Sequence, residues 1–465
     1  MRITVGTLTA RLDTDNPEIL RELKTKYSFP VPGYQYSPAY RARRWDGKKR
    51  YFESTGKFKA GLLTRVLKDL ELIGVNTKDI VDYKDADTSA DAPVVSVKKF
   101  KYRNYQEDCI LHCLKHKRAI VDSPTGSGKT LIMAGVIAAL QEIDPDIHVT
   151  VLFREKGILK QTYEFFQECG IKELGINSGE GYEHGRIMLS TVQSIERIID
   201  SHLNSSKLLM VDEAHQFCKG ETTIAAVESF PNALYRLAFT ATPPREGAKD
   251  INARMVLEGA FGAVYTTRTA DELIKDGSLA KPIIQIIDIP APSSVESNLS
   301  YLEIYEEFIV NNEYRNNKIK EIVDKVYKAN PNAKILILVK NLQHIENLKK
   351  LVTNYYGIEG KDDIGSRYDI IQKFIEDDNP ATIIGTNVMQ TGISIDEISH
   401  MINARGLAGE VPTIQGLGRG TRKAKGKTKV FLYDFYDRVK YLESHSKQRI
   451  KHYNNLKFEI NKINI

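Results

Sequence analysis

At 465 residues the chain exceeds one ordinary domain, and an apolar share of 42% with 27% charged residues excludes a disordered or fibrous protein. The formal net charge of +6 is concentrated: residues 33–60 carry eight Lys or Arg against two acids, residues 415–465 carry thirteen against four, and the remainder is net acidic. Basic character so localised points to a polyanion-binding surface on an otherwise balanced protein.

Four cysteines, Cys109, Cys113, Cys169 and Cys218, form neither a disulfide framework nor a Cys-x-x-Cys metal knuckle, so a reducing, cytoplasmic setting is expected. Cys109 and Cys113 stand four apart on a predicted helix, where the simple reading is two small buried apolar side chains. The N-terminus, MRITVGTLTARLDTD, has no apolar core behind a basic start. The longest apolar run, LIMAGVIAAL, falls short of the ~18 residues that span a bilayer. A soluble, unexported protein with no membrane partner is expected.

Residues 1–95 mix short alternating segments with one amphipathic stretch, AGLLTRVLKDLELIG, and hold the single tryptophan, Trp45. They predict a small separate α+β domain, closed by the acidic, proline-bearing linker YKDADTSADAPVVS. Residues 96–282 alternate apolar strands with helical patterns: RAIVDS, a helix from Thr130, HVTVLF, ILKQTYEFFQEC, RIMLSTV, SIERIIDSHL, KLLMVDE and YRLAFTAT. That alternation implies a parallel sheet covered on both faces. The pattern restarts in residues 283–465: after AKPIIQIIDIPAP a long helical segment from Tyr301 to Ala329 leads to AKILILVK, a helix from Leu342, ATIIGT, HMINAR and KVFLYDF, with a basic helix at the end. The fold class expected is α/β, two tandem RecA-like parallel-sheet domains with a cleft between them, plus the small N-terminal domain.

SPTGSGKT, residues 123–130, follows the apolar RAIV and precedes a helix, the context a phosphate loop requires. Gly126, Ser127 and Gly128 turn backbone N–H groups toward phosphate oxygens, Lys129 brings a point charge to the β and γ phosphates, and the Thr130 hydroxyl can hold Mg²⁺. LLMVDEAH is a strand ending in two carboxylates. Asp212 is expected to hold the metal and Glu213 to orient and deprotonate the attacking water. Together these motifs define an NTPase that uses ATP and Mg²⁺.

DEAH, with TAT at 240–242, resembles superfamily 2 helicases and translocases, and the resemblance runs through both α/β units. It implies that Gln106 of RNYQ reads the adenine with help from Arg103. It places Thr191 and Gln193 of STVQS, and Gln161, near a nucleic-acid backbone. GTNVMQTGISI resembles the fifth motif, which implies a phosphate contact by Thr386 and a place near the nucleotide for Gly392. QGLGRGTR is similar to the sixth, so that Gln415 bridges to His215 while Arg419 and Arg422 reach the γ-phosphate. Planar, permanently charged guanidinium groups suit the spread charge of a transferring phosphoryl group. TGISI, the segments NNEYRNNKI and GSRYDIIQKF, and the compact size resemble the UvsW-like phage branch-migration helicases, chiefly over residues 98–435.

YQYSPAYRARRWDGKKRYF interleaves cations with aromatics. Arg43, Arg44, Lys48 and Lys49 can neutralise phosphates while Trp45 or Tyr51 stacks on an exposed base; alternatively Trp45 and the tyrosines fill a small core beneath solvated cations. The resemblance implies an ATP-dependent helicase acting on branched or forked duplex DNA in replication, recombination or repair, and in the host cytoplasm if viral; the residues leave the oligomeric state open, a monomer being favoured. An RNA helicase, or an ATP-gated clamp that does not translocate, shares the same core motifs.

Overall fold

The computed structural model describes residues 1–83, 93–198, 200–218, 220–247, 251–292, 299–358, 364–386, 397–408 and 427–463. They form two compact units: Met1–Ser123 with Gly128–Thr267, and Arg268–Ile465 with the short turn Pro124–Ser127.

The first unit holds three sheets, one of them the two-stranded ribbon Ser28–Pro30 with Lys48–Arg50. In the small N-terminal sheet the strands run in the order Lys57–Lys59, Thr9–Asp13, Arg2–Val5 and Val81–Tyr83. Alternate residues of the second and third are buried, as expected where a sheet shows one face to solvent. Helices Pro17–Lys26 and Leu63–Leu72 help enclose a core of its own around Ile3, Leu12, Tyr27, Phe52, Phe58 and Val66. This sheet, with its own core, packs against the rest of the first unit. Met255, from helix Ile251–Phe261, belongs to the N-terminal core. Arg65 pairs with Glu258 at 2.8 Å, the Tyr51 hydroxyl donates to the carbonyl of Asn252, and Arg118 donates to the carbonyl of Thr7. The contact is tight enough that a Cβ on Gly61 would lie 2.1 Å from the carbonyl oxygen of Glu258. Gly61→Ala is expected to cost about 1–3 kcal/mol by overpacking, read as a lowered unfolding midpoint. An unchanged midpoint would mean the two backbones are not so closely seated.

The large sheet of the first unit has the order Gly181–Glu183, Leu174–Ser178, Ile187–Thr191, His148–Phe153, Ser206–Val211, Tyr235–Thr240, Arg118–Asp122 and Val264–Thr266. All neighbours pair in parallel except the hairpin at Gly181–Glu183. Side-chain alternation divides the core between its faces: Ala119, Val121, Leu208 and Met210 pack in one cluster, Ile120, Leu209 and Val211 in another. Cys109 and Cys113 are buried on helix Asn104–His116 and join the first cluster as small apolar side chains.

In the second unit seven strands pair in parallel in the order Tyr355–Ile358, Ala381–Gly385, Lys334–Leu338, His400–Asn403, Lys429–Asp437, Lys281–Ile289 and Glu459–Ile463. Leu336, Leu338 and Met401 face one core cluster; Ile335, Ile337 and Ile402 face the other. Two expectations are corrected. The long helix predicted from Tyr301 is broken: Tyr301–Tyr305 runs into a π-turn, Glu306–Val310, and a new helix, Glu313–Ala329, starts where the Asn312 side chain accepts from the Arg315 N–H. The basic helix, Leu442–Asn455, does not finish the fold, because Glu459–Ile463 returns to the sheet beside Lys281–Ile289. Among the described residues no helix is long and apolar enough to cross a membrane.

Candidate functional site

Strand Arg118–Asp122 ends at a turn whose glycines, Gly126 and Gly128, adopt φ of +83° and +86°, a region side chains with a Cβ avoid. The Ser127 N–H donates to the carbonyl of Pro124 at 3.1 Å, and helix Lys129–Ile143 begins immediately after. Gly128 is required on a second count: a Cβ there would lie 2.3 Å from Nε2 of Gln106. Gln106 itself is buried, and its Oε1 accepts from the Arg103 N–H at 2.8 Å, completing a capping box for helix Asn104–His116. It is therefore both a helix cap and a wall of the loop. Arg103 donates to the Tyr105 hydroxyl at 3.2 Å. The Lys129 ammonium donates to the carbonyl of Ser123 at 3.2 Å, and Thr130 is partly exposed in the first helical turn.

Strand Ser206–Val211 delivers the acids. The Asp212 N–H continues the ladder to the carbonyl of Leu152, after which Glu213 turns with φ of +49°. A non-glycine residue in this left-handed region stores strain and re-aims its side chain. Burial and the neighbouring Glu213 carboxylate push the Asp212 carboxyl up to about 6, against the opposing charge of Lys129. Oδ1 of Asp212 and Oε2 of Glu213 are buried and have no hydrogen-bond partner among the described residues. A buried, unbonded carboxylate oxygen on Asp212 is costly unless a cation meets it, and hard oxygen donors fit a divalent ion such as Mg²⁺.

Behind the acids, His215 Nδ1 lies 3.4 Å from Glu213 Oε2 and 3.0 Å from Thr240 Oγ1, which also accepts from the Thr242 N–H at 3.1 Å. The DEAH turn is thereby tied to the tip of the neighbouring strand Tyr235–Thr240. Sequence inspection gave Thr240 no role of its own, since a threonine at a strand end is unremarkable until its partner is known. Thr267 was missed for the same reason: its hydroxyl donates to Ser123 Oγ at 2.9 Å and steadies the start of the loop.

The other expected residues divide by exposure. Gln193 is exposed and Gln161 partly so, whereas Thr191 is buried and donates its hydroxyl to Ser194 Oγ at 2.9 Å. Thr386 is buried just past strand Ala381–Gly385. Gly392, Gln415, Arg419 and Arg422 lie outside the described residues. In the separate two-stranded ribbon of Ser28–Pro30 and Lys48–Arg50 and the connection between its strands, Arg43, Arg44, Lys48 and Lys49 are exposed. Trp45 is half-buried, its indole N–H held by the carbonyl of Lys48 at 2.8 Å. Tyr51 is not available for stacking, because it is buried against Phe29 and its hydroxyl is engaged by Asn252.

This architecture agrees with comparisons to known proteins. Residues 99–245 match the family of type III restriction enzyme res subunits, residues 316–424 the helicase conserved C-terminal domain, and residues 8–76 the N-terminal domain of DNA helicase UvsW. The ATP-dependent DNA helicase uvsW of Enterobacteria phage T4 is 24% identical over 96% of this chain and 92% of its own length. The DNA 3'-5' translocase XPB2 of Sulfurisphaera tokodaii is 24% identical over 70% of this chain and 79% of its own. In fold, the chain is similar to S. cerevisiae Dbp5 bound to RNA and ADP BeF3, with a TM-score of 0.58 at 17% identity, covering 78% of this chain and 90% of that one. Two RecA-like sheets with a phosphate loop and a DEAH strand define an ATP-hydrolysing helicase. Within that class, the chain is similar to the superfamily 2 helicases and to UvsW.

Proposed function

We propose that this ATP-dependent DNA helicase remodels branched or forked duplex DNA, by branch migration and unwinding, in replication, recombination or repair. The observation that carries this reading is the seating of the basic N-terminal ribbon on the ATPase unit: exposed Arg43, Arg44, Lys48 and Lys49 beside half-buried Trp45 belong to the same compact unit as the phosphate loop's Lys129. Such cations contact phosphates without reading sequence, which suits a protein that recognises DNA shape. The similarity to UvsW over nearly the whole chain supports the same assignment.

In this reading Lys129 and the loop N–H groups of Gly126 to Gly128 bind the phosphates, and Thr130 and Asp212 would hold Mg²⁺, which would neutralise charge developing on the phosphates. Glu213, aimed by its strained backbone, takes the proton of the attacking water. Gln106 and Arg103 face the base, His215 with Gln415 relays the state of the acids, and Gly392 lies near the nucleotide. Arg419 and Arg422 stabilise the transferring phosphoryl group, an effect worth roughly 10³ to 10⁵ in rate in comparable enzymes. Gln161, Thr191, Gln193 and Thr386 serve the DNA backbone, and with Thr191 buried its part is to shape the turn that presents Gln193. The protein acts as a monomer in the cytoplasm.

The two-sheet fold also occurs in an RNA-bound protein, so fold does not choose between nucleic acids. ATPase activity across forked DNA, linear duplex and RNA of matched length does. Forked DNA is expected to stimulate most; stimulation by RNA equal to that by the fork would overturn the assignment. Hydrolysis without displacement of a third strand from a triplex would show a clamp rather than a translocase.

A further inference from the structure

Where the N-terminal sheet meets helices Glu221–Glu228 and Ile251–Phe261, the first unit holds a cavity of about 250 Å³. Its walls are mainly apolar, among them Phe58, Phe217, Ile224, Val227, Met255 and Phe261, yet two arginines stand in the same lining. Arg236, on strand Tyr235–Thr240, is 1% exposed; its Nε donates to the carbonyl of Ala260 at 3.2 Å, its Nη1 to that of Phe230 at 3.0 Å and its Nη2 to that of Val227. Arg118, which opens the strand leading into the phosphate loop, donates Nη1 to the same Ala260 carbonyl at 3.0 Å and Nη2 to the carbonyl of Thr7. Two like charges thus converge on one carbonyl oxygen.

Among the described residues neither arginine is met by an acid. The lining holds six Lys or Arg against two Glu, and both acids are placed elsewhere: Glu228 pairs with Lys59 at 2.5 Å, and Glu53 is exposed. Burial pushes Arg118 down to about 10 and, with the repulsion of Arg118 added, Arg236 down to about 9, so both stay charged at neutral pH. Buried charges are ordinarily paired, and two that face only carbonyls carry a desolvation cost that an anion would offset. A dry cavity of about 150 Å³ already admits benzene, so this one has room for a ring and a short chain. We propose that the cavity binds a small organic anion, its apolar body against Phe58, Phe217 and Phe261 and its carboxylate on Arg118 and Arg236. A duplex is far too wide to enter, so this ligand is separate from the DNA proposed to meet the exposed ribbon. The walls come from the N-terminal sheet and from the ATPase helices alike, so an occupant bridges them and stabilises the folded first unit.

The test uses the full chain with 4-phenylbutyrate as the probe and 4-phenylbutanol, which has the same body and no charge, as its control. Titration at fixed salt is expected to show the carboxylate binding about 10-fold or more tighter than the alcohol, the difference a charged hydrogen bond makes, and the unfolding midpoint is expected to rise with carboxylate concentration. Ile224→Phe, which fills the cavity from a half-buried position, should remove binding of both probes. Arg118→Gln, which keeps a donor for the carbonyls and loses the charge, should erase the preference and leave the alcohol bound. Should Arg118→Gln fail to fold, the two probes on the wild type and on Ile224→Phe still decide. Equal affinity for carboxylate and alcohol, or binding of neither, would overturn the proposal. So would carboxylate binding that survives Ile224→Phe, which would place it on the exposed ribbon, or inorganic phosphate binding as tightly as 4-phenylbutyrate, which would leave the apolar walls without a part.

Discussion

Lys129→Ala is expected to abolish DNA-stimulated ATP turnover while leaving the chain folded. The ammonium is held at the mouth of the loop by the carbonyl of Ser123 and lies within electrostatic reach of Asp212, whose proton affinity it lowers. In the proposed reading it is a point charge facing the place where phosphate charge develops, so its loss would remove stabilisation that the backbone N–H groups alone do not replace. Removing one such donor in comparable sites costs at least ~10²-fold in kcat. The same charge has a second effect: without it Asp212 holds its proton more tightly, so any residual activity should show its acid limb at higher pH than the wild type. Measuring hydrolysis against pH checks both. Persistent wild-type turnover would refute the phosphate-cradle assignment.

Asp212→Asn is expected to eliminate metal-dependent hydrolysis and yet to stabilise the metal-free protein. The Asp212 carboxyl is raised from its ordinary value of 3.8 to about 6, so the folded state binds that proton more tightly than the unfolded chain. Ionising it therefore costs stability: metal-free protein loses on the order of 2–3 kcal/mol as pH rises from about 4 to about 6, and the penalty is complete above that. Asparagine keeps the shape and removes the charge, so the variant should melt higher than wild type at about pH 7.5 in a chelator, with the gap closing near pH ~4. Adding Mg²⁺ should raise the wild-type midpoint and not that of the variant. By the same linkage, Mg²⁺ affinity should fall as pH drops through about 6, because the ion competes with a proton. A lower midpoint for the variant at neutral pH in chelator would show that the carboxylate is already compensated without a metal.

Much of this was legible in the residues. Unbroken apolar runs such as HVTVLF and KILIL gave buried parallel strands, since only a sheet covered on both faces accepts apolar side chains in both directions. SPTGSGKT and DEAH announced their chemistry because phosphate binding needs glycine φ values and a fixed order of donors within one short stretch. Other features were not legible. The break at Asn311 and Asn312 depends on a local cap that competes with a helical pattern on either side. Gln106 reads from its motif as an adenine contact, and only the structure shows it capping its own helix beside Gly128.

The sequence by itself determined which chemistry the chain carries and most of the central strands and helices, because both rest on near neighbours along the backbone. Only the tertiary structure decided that the N-terminal sheet is seated on helix Ile251–Phe261, that Tyr51 is buried while Trp45 is half exposed, that Thr240 serves His215, and that Arg118 and Arg236 converge on the carbonyl of Ala260. Those outcomes depend on burial and on partners far apart in sequence, and neither has a periodicity or a spacing that could announce it.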